Sequence, residues 1–192
     1  KLESDSPVLN NDVDDNYEVV PKHASVEYDG KKLSMRSGYF IKTLSEMLPE
    51  NRIIFDEALT NSPPVNKYLT GRAPGDRMLT RGGSLGTGFP GAIGAKIAHP
   101  DRCVVGFSGD GGSMYTIQCL WTAARHNVAA KFVVCQNRSY KLLQANISKF
   151  WQERGIEGRE FPTVFDLSKP EICFNEIANS FGVPGEQVIR PD

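Results

Sequence analysis

Two short apolar runs, residues 102–109 and 129–137, constrain the fold more than any other part of the chain. In the first, Cys103, Val104, Val105 and Phe107 fill both alternate sets of positions. In the second, Phe132, Val133, Val134 and Cys135 do the same. A strand apolar on both faces must be covered on both faces, as the inner strands of parallel sheets are. The residues between them read as a helix from Ser113 to His126, with Met114, Ile117, Trp121 and Ala124 on one apolar face. Strand, helix and strand in that order form a βαβ unit, whose two strands run parallel.

The rest of the chain extends the pattern. Residues 34–50 carry Met35, Phe40, Leu44 and Leu48 at helical spacing, and Pro49 ends the run. Residues 52–57 read as a strand and 77–81 as a weaker one. A glycine-dense turn at 82–88 opens a small-residue helix that Pro100 stops. A further helix is expected after Ser139, a late one over 173–182, and a last strand at 187–190. The expected fold is therefore α/β: three layers, doubly wound, with a mostly parallel sheet and helices on both faces. Residues 1–33 are rich in Asp, Asn, Ser and Lys and read as a linker or extended arm, leaving 34–192 as the domain.

Composition narrows the function. A formal net charge of -1 gives no electrostatic case for nucleic acid or an anionic membrane surface. No apolar run approaches the ~20 residues of a spanning helix, and the start lacks the basic-then-apolar order of a secretory signal. The first residue is not Met, which suggests a processed piece or a fragment of a longer chain, with the small subunit of a split protein as the alternative. Cys103, Cys119, Cys135 and Cys173 form no CxxC pair, so they read as reduced core residues of a cytoplasmic protein rather than as a zinc site.

The chemistry gathers at the strand ends, where open α/β sheets bind ligands. Asp110 follows one apolar strand, wedged between Gly109 and Gly111-Gly112, and Asn137 follows the next. Glycines allow backbone N–H groups to approach an anion, and a helix start favours one. A carboxylate is badly placed beside an anion unless a cation lies between. Mg²⁺ accepts a carboxylate, an amide oxygen and phosphate oxygens together, so Asp110 and Asn137 read as its ligands and the anion as a diphosphate. A second reading starts upstream. Gly86-Thr87-Gly88-Phe89-Pro90-Gly91 is a literal GxGxxG before a helix, with Asp110 about twenty residues beyond, as in an NAD(P)-binding dehydrogenase domain. Pro90 inside the motif and the weak strand before it count against this.

The run from Gly82 to Ile147, with Gly109-Asp110-Gly111 at its centre and Asn137 after it, resembles the diphosphate-binding (PP) domain of thiamine-diphosphate (ThDP) enzymes. The similarity is to the branch of benzoylformate decarboxylase and acetolactate synthase, and it extends from about Leu33 to the C-terminus. It implies that Asp110, the side-chain oxygen of Asn137 and the backbone carbonyl of Ser139 ligate Mg²⁺. It implies that Gly111, Gly112 and Ser113, beside Gly109, hold the diphosphate, with Thr60 and Asn61 touching it from another loop. Leu85 would prop the cofactor in a bent conformation. Gly83, next to Ser84, would accept a hydrogen bond from the aminopyrimidine, and Tyr140 would line the site. The implied reaction is decarboxylation of a small 2-keto acid, or carboligation, with the carbanion chemistry carried by the cofactor. No catalytic residue is expected in this chain, because the family's essential Glu lies in a pyrimidine-binding (PYR) domain. The partners implied are such a domain and a second copy, in a homodimer or homotetramer. A non-catalytic module that kept the fold remains a third reading.

Overall fold

The computed structural model describes residues 26–28, 31–33 and 36–189. Near the start, β1 (Val26–Tyr28) pairs antiparallel with β2 (Lys31–Leu33). A small hairpin thus stands at the end of the segment read as an arm; its earlier residues lie outside those described. The main sheet has four parallel strands in the order β4 (Arg77–Leu79), β3 (Arg52–Glu57), β5 (Cys103–Gly109), β6 (Lys131–Cys135). The chain runs from β3 to β4 on one side, crosses back to β5 on the other, then continues outward to β6. That reversal is the topological switch at which such sheets bind ligands.

Side chains alternate across the sheet. Ile54, Val105 and Phe107 pack with Ile41 of α1 (Ser37–Met47) and Val65 of α2 (Ser62–Tyr68). Cys103 and Cys135 join this cluster as small hydrophobes, and burial pushes the Cys135 thiol up to about 12, which keeps it protonated and inert. On the opposite face, Ile53 and Val104 meet Ala92 and Ala95 of α3 (Gly88–Ala98). Phe89 of α3, Leu120 of α5 (Cys119–Arg125) and Ala178 of α7 (Phe174–Ser180) form a third cluster. Helices on both faces complete the three-layer α/β fold.

The GxGxxG glycines serve packing here. A Cβ on Gly88 would stand 2.6 Å from the Phe107 carbonyl oxygen, and one on Gly91 would stand 2.2 Å from the Phe55 ring. Both lie far inside van der Waals contact, so α3 reaches the sheet only because these side chains are missing. Gly91→Ala should force the Phe55 ring aside and cost about 1–3 kcal/mol, the usual range for overpacking. A denaturant midpoint measures it.

Three expectations need correction. Cys173, read as a core residue, is exposed. The single helix over Ser113 to His126 is instead a short α4 (Asp110–Ser113), a run of turns, and then α5. The turns are wound with i→i+3 bonds, including Tyr115 N–H to Gly112 O (3.3 Å) and Thr116 N–H to Ser113 O (3.1 Å). Three residues per turn shift the helical phase. Leu120 and Ala123 are therefore buried, while Met114 and Trp121 are exposed. The expected last strand is also absent over 187–189. Gly185 N–H donates to Asn179 Oδ1 and Val183 N–H to Ala178 O. These bonds tie the chain back onto the end of α7. Of the described residues, no helix is long and apolar enough to cross a membrane.

Candidate cofactor and metal site

Three strand ends converge on one cleft of about 180 Å³. From β3 come Leu59, Thr60 and Asn61. From β5 come Gly109, Asp110, Gly111 and Gly112. From beyond β6 come Asn137, Ser139 and Tyr140, followed by Leu142 and Leu143 at the start of α6 (Lys141–Glu153). Leu85 closes the cleft from the turn before α3. Ten of the residues singled out from the sequence thus share one space. Gly83, Ser84 and Ser113 are not among those lining it. Ser113 is buried, with its hydroxyl donating back to the Asp110 carbonyl (2.9 Å).

Asp110 organises the cleft. Its carboxylate is 3% exposed. Oδ1 accepts from the Gly111 N–H (2.9 Å), and Oδ2 accepts from the N–H groups of Asn137 (3.0 Å) and Arg138 (2.6 Å). Burial raises its pKa above the ordinary aspartate value, and the Gly111, Arg138, Asn137 and Ser139 amides pull the other way. Two carboxylate oxygens offer about four acceptor positions, so acceptor capacity remains beyond the three bonds.

The loop after β6 turns sharply. Asn137 Oδ1 accepts from the Ser139 N–H (2.9 Å), and Arg138 is left-handed at φ +57°. The Ser139 hydroxyl is buried and has no hydrogen-bond partner among the described residues. A buried polar group without a partner costs stability unless something binds it. Gly111 lies against Tyr140 so closely that a Cβ would come within 2.3 Å of the ring. A buried carboxylate, an amide oxygen, an orphaned hydroxyl and glycine backbone on one cleft are the donor set of a hard cation beside an anion, so the residues present fit Mg²⁺ and a diphosphate.

Glu57 settles the competing motif. This residue is 1% exposed, at the end of β3. Its Oε1 accepts from the Gly86 N–H (2.8 Å) and the Ser108 hydroxyl (3.2 Å). Its Oε2 accepts from the N–H groups of Thr87 (2.6 Å) and Gly88 (2.7 Å) and from the Thr87 hydroxyl (3.0 Å). The start of α3, where a dinucleotide would place its pyrophosphate, thus already carries the protein's own anion. Glu57 is therefore the cap of α3. The segment 163–172, which borders the Asn137–Tyr140 loop, was not anticipated, and its loop composition carried no signal.

A cleft of this kind, at the carboxyl ends of parallel strands, is where open α/β sheets bind ligands. The chain belongs to the thiamine pyrophosphate enzymes: residues 63–192 match the family's C-terminal TPP binding domain. It is 29% identical to benzoylformate decarboxylase of Pseudomonas aeruginosa over 86% of this chain and 29% of that protein. It is 28% identical to the acetolactate synthase isozyme 2 large subunit of Escherichia coli over 88% of this chain and 29% of that one. A solved ThDP-dependent 4-hydroxybenzoylformate decarboxylase from Rhodococcus jostii RHA1 superposes with a TM-score of 0.72 at 26% identity, covering 89% of this chain and 30% of that one. The chain therefore spans under a third of the length of these relatives.

Proposed function

We propose that this domain anchors thiamine diphosphate through Mg²⁺ in a 2-keto-acid decarboxylase or carboligase. Asp110, Asn137 Oδ1 and the Ser139 carbonyl would hold the cation. Gly111 and Gly112 would offer backbone to the diphosphate, with Thr60 and Asn61 across the cleft. The observation that carries this reading is the buried Asp110 carboxylate gripping the Asn137–Arg138 amides across two adjacent strand ends.

When bound, the cofactor supplies an electron sink for the carbanion left as CO₂ departs. The chain's own residues bind and orient. Leu85 projects from a turn pinned at Gly86, whose N–H donates to Glu57 and whose carbonyl accepts from the Thr116 hydroxyl (2.7 Å). A side chain held at a fixed height suits the prop for a bent cofactor. Leu59, Leu142 and Leu143 make the wall apolar, which excludes water from a leaving carboxylate. Among the described residues, Asp110 is the only carboxylate lining the cleft, and Glu57 is fully engaged elsewhere. The family resemblance assigns the proton-relay glutamate to another domain, of the PYR type, in the same or a second chain of a homodimer or homotetramer. Tyr115, Leu142 and Leu143, all exposed and lining the cleft, give it an apolar rim of the kind that another domain covers.

Calorimetry on the full-length protein tests the reading. Thiamine diphosphate should bind saturably with Mg²⁺ and far more weakly with the metal chelated. Binding of NAD(P)H without metal, and no cation-dependent binding of thiamine diphosphate, would refute it. Cofactor binding without turnover of any 2-keto acid would instead identify a non-catalytic module.

A further inference from the structure

The loop that carries Asn137 and Ser139 is held from two sides. Asp110 takes its amides from one side. Along the other runs the segment 163–172. Tyr140 N–H donates to Phe165 O (3.0 Å), Leu167 N–H donates to Arg138 O (2.9 Å), and Ser139 bridges Asp166. Gln136 Nε2 donates to Ile172 O (3.0 Å).

Arg138 sits between the two grips. Its N–H faces Asp110 and its carbonyl faces Leu167. Its backbone is left-handed, a conformation that glycine adopts freely and a β-carbon strains. The side chain is 11% exposed, and its Nε and Nη2 groups both donate to Glu171 Oε1, the Nε bond at 3.0 Å. A strained residue held at a functional loop by a charge-assisted pair, its arginine mostly buried and its glutamate open to solvent, is over-determined by its surroundings.

We propose that Glu171 is a positioning residue for the metal-binding loop. By fixing Arg138, it sets the peptide planes on either side, and with them Asn137 Oδ1 and the Ser139 carbonyl. The inference rests on the cofactor reading above and adds a residue that touches neither cation nor cofactor. Its signature follows from the metals. Mg²⁺ demands near-ideal octahedral geometry, whereas Ca²⁺ accepts six to eight ligands at longer and more variable distances. Loosening the loop should therefore weaken Mg²⁺ more than Ca²⁺. Loss of a partner outside the ligand set commonly costs about tenfold in metal affinity.

The test uses full-length protein with saturating thiamine diphosphate, titrated with each metal, and hydrogen exchange of the metal-free protein. Glu171→Gln should weaken Mg²⁺ about tenfold and Ca²⁺ by less than about threefold, and should speed exchange at Asn137–Tyr140. Glu171→Asp should recover part of the loss. In an Arg138→Gly background, where the backbone is relaxed and the pair already gone, Glu171→Gln should add nothing. Unchanged Mg²⁺ affinity, equal losses for both metals, or the same loss in both backgrounds would overturn the proposal while leaving the cofactor reading intact. If the unmutated protein shows no cation-dependent cofactor binding, both fail.

Discussion

Asp110→Ala is expected to abolish the magnesium dependence of thiamine diphosphate binding, weakening it at least about a hundredfold. The residue would supply the only anionic oxygen that these protein ligands offer the cation, against two neutral ones from Asn137 and Ser139. Replacing an anionic ligand by a methyl removes the strongest attraction in the set, and losing a mere outer partner already costs 10–100-fold. The variant also frees the amides of Gly111, Asn137 and Arg138, so some fall in melting temperature accompanies the loss. The discriminating quantity is the metal effect: added Mg²⁺ should strengthen binding to the unmutated protein and leave the variant unaffected. The same carboxylate sets a pH dependence. Burial raises its pKa in the folded, metal-free state, so the metal-free fold gains stability as pH falls through that range. Mg²⁺ requires the ionised form, so its affinity falls over the same range, starting above the pH at which an ordinary aspartate protonates. Calorimetry across acidic pH reads both signs.

Glu57 carries the second large effect, on stability. Five donors converge on its two oxygens, three of them backbone N–H groups at the start of α3. Glu57→Ala orphans the three N–H groups, while the two hydroxyls keep other partners, Thr80 Oγ1 for Thr87 and the Gly109 carbonyl for Ser108. At about 1–3 kcal/mol for each buried unpaired group, partly relieved by rearrangement, the loss should exceed about 3 kcal/mol. The isosteric Glu57→Gln is informative because it should not rescue. Both carboxylate oxygens act purely as acceptors, and either orientation of an amide turns its NH₂ toward groups that also donate. Urea unfolding should show the two variants within about 1 kcal/mol of each other. A glutamine variant as stable as the unmutated protein would mean that the convergence of donors on Glu57 is not what secures α3.

The sheet was legible because β3, β5 and β6 are short, apolar and separated by helical stretches, and because burial on both faces leaves a strand no polar alternation. The cleft was legible because Asp110 and Asn137 end adjacent strands. Three features were not. The winding between α4 and α5 depends on i→i+3 bonds that no 3.6-residue periodicity registers, which is why Trp121 was assigned to the wrong face. The capping role of Glu57 depends on donors about thirty and about fifty residues away along the chain. A signal did exist: a glycine-rich helix start displays several N–H groups, and a strand-end acid is the simplest anion to meet them. The grip of segment 163–172 on the Asn137–Tyr140 loop joins backbone hydrogen bonds at Phe165 and Leu167, which leave no trace in side-chain pattern, to bonds from the Gln136 and Arg138 side chains, whose partners lie more than thirty residues away along the chain.

The central claim is that the ends of β5 and β6 build a metal site that anchors a diphosphate. The most direct measurement is a crystal structure of the full-length protein grown with thiamine diphosphate and Mn²⁺, with the metal located by its anomalous scattering. The account predicts a peak about 2.0–2.3 Å from an Asp110 carboxylate oxygen, Asn137 Oδ1 and the Ser139 carbonyl oxygen, with the diphosphate beside Gly111 and Gly112. A metal bound elsewhere, or a diphosphate seated at the start of α3 in place of Glu57, would contradict it.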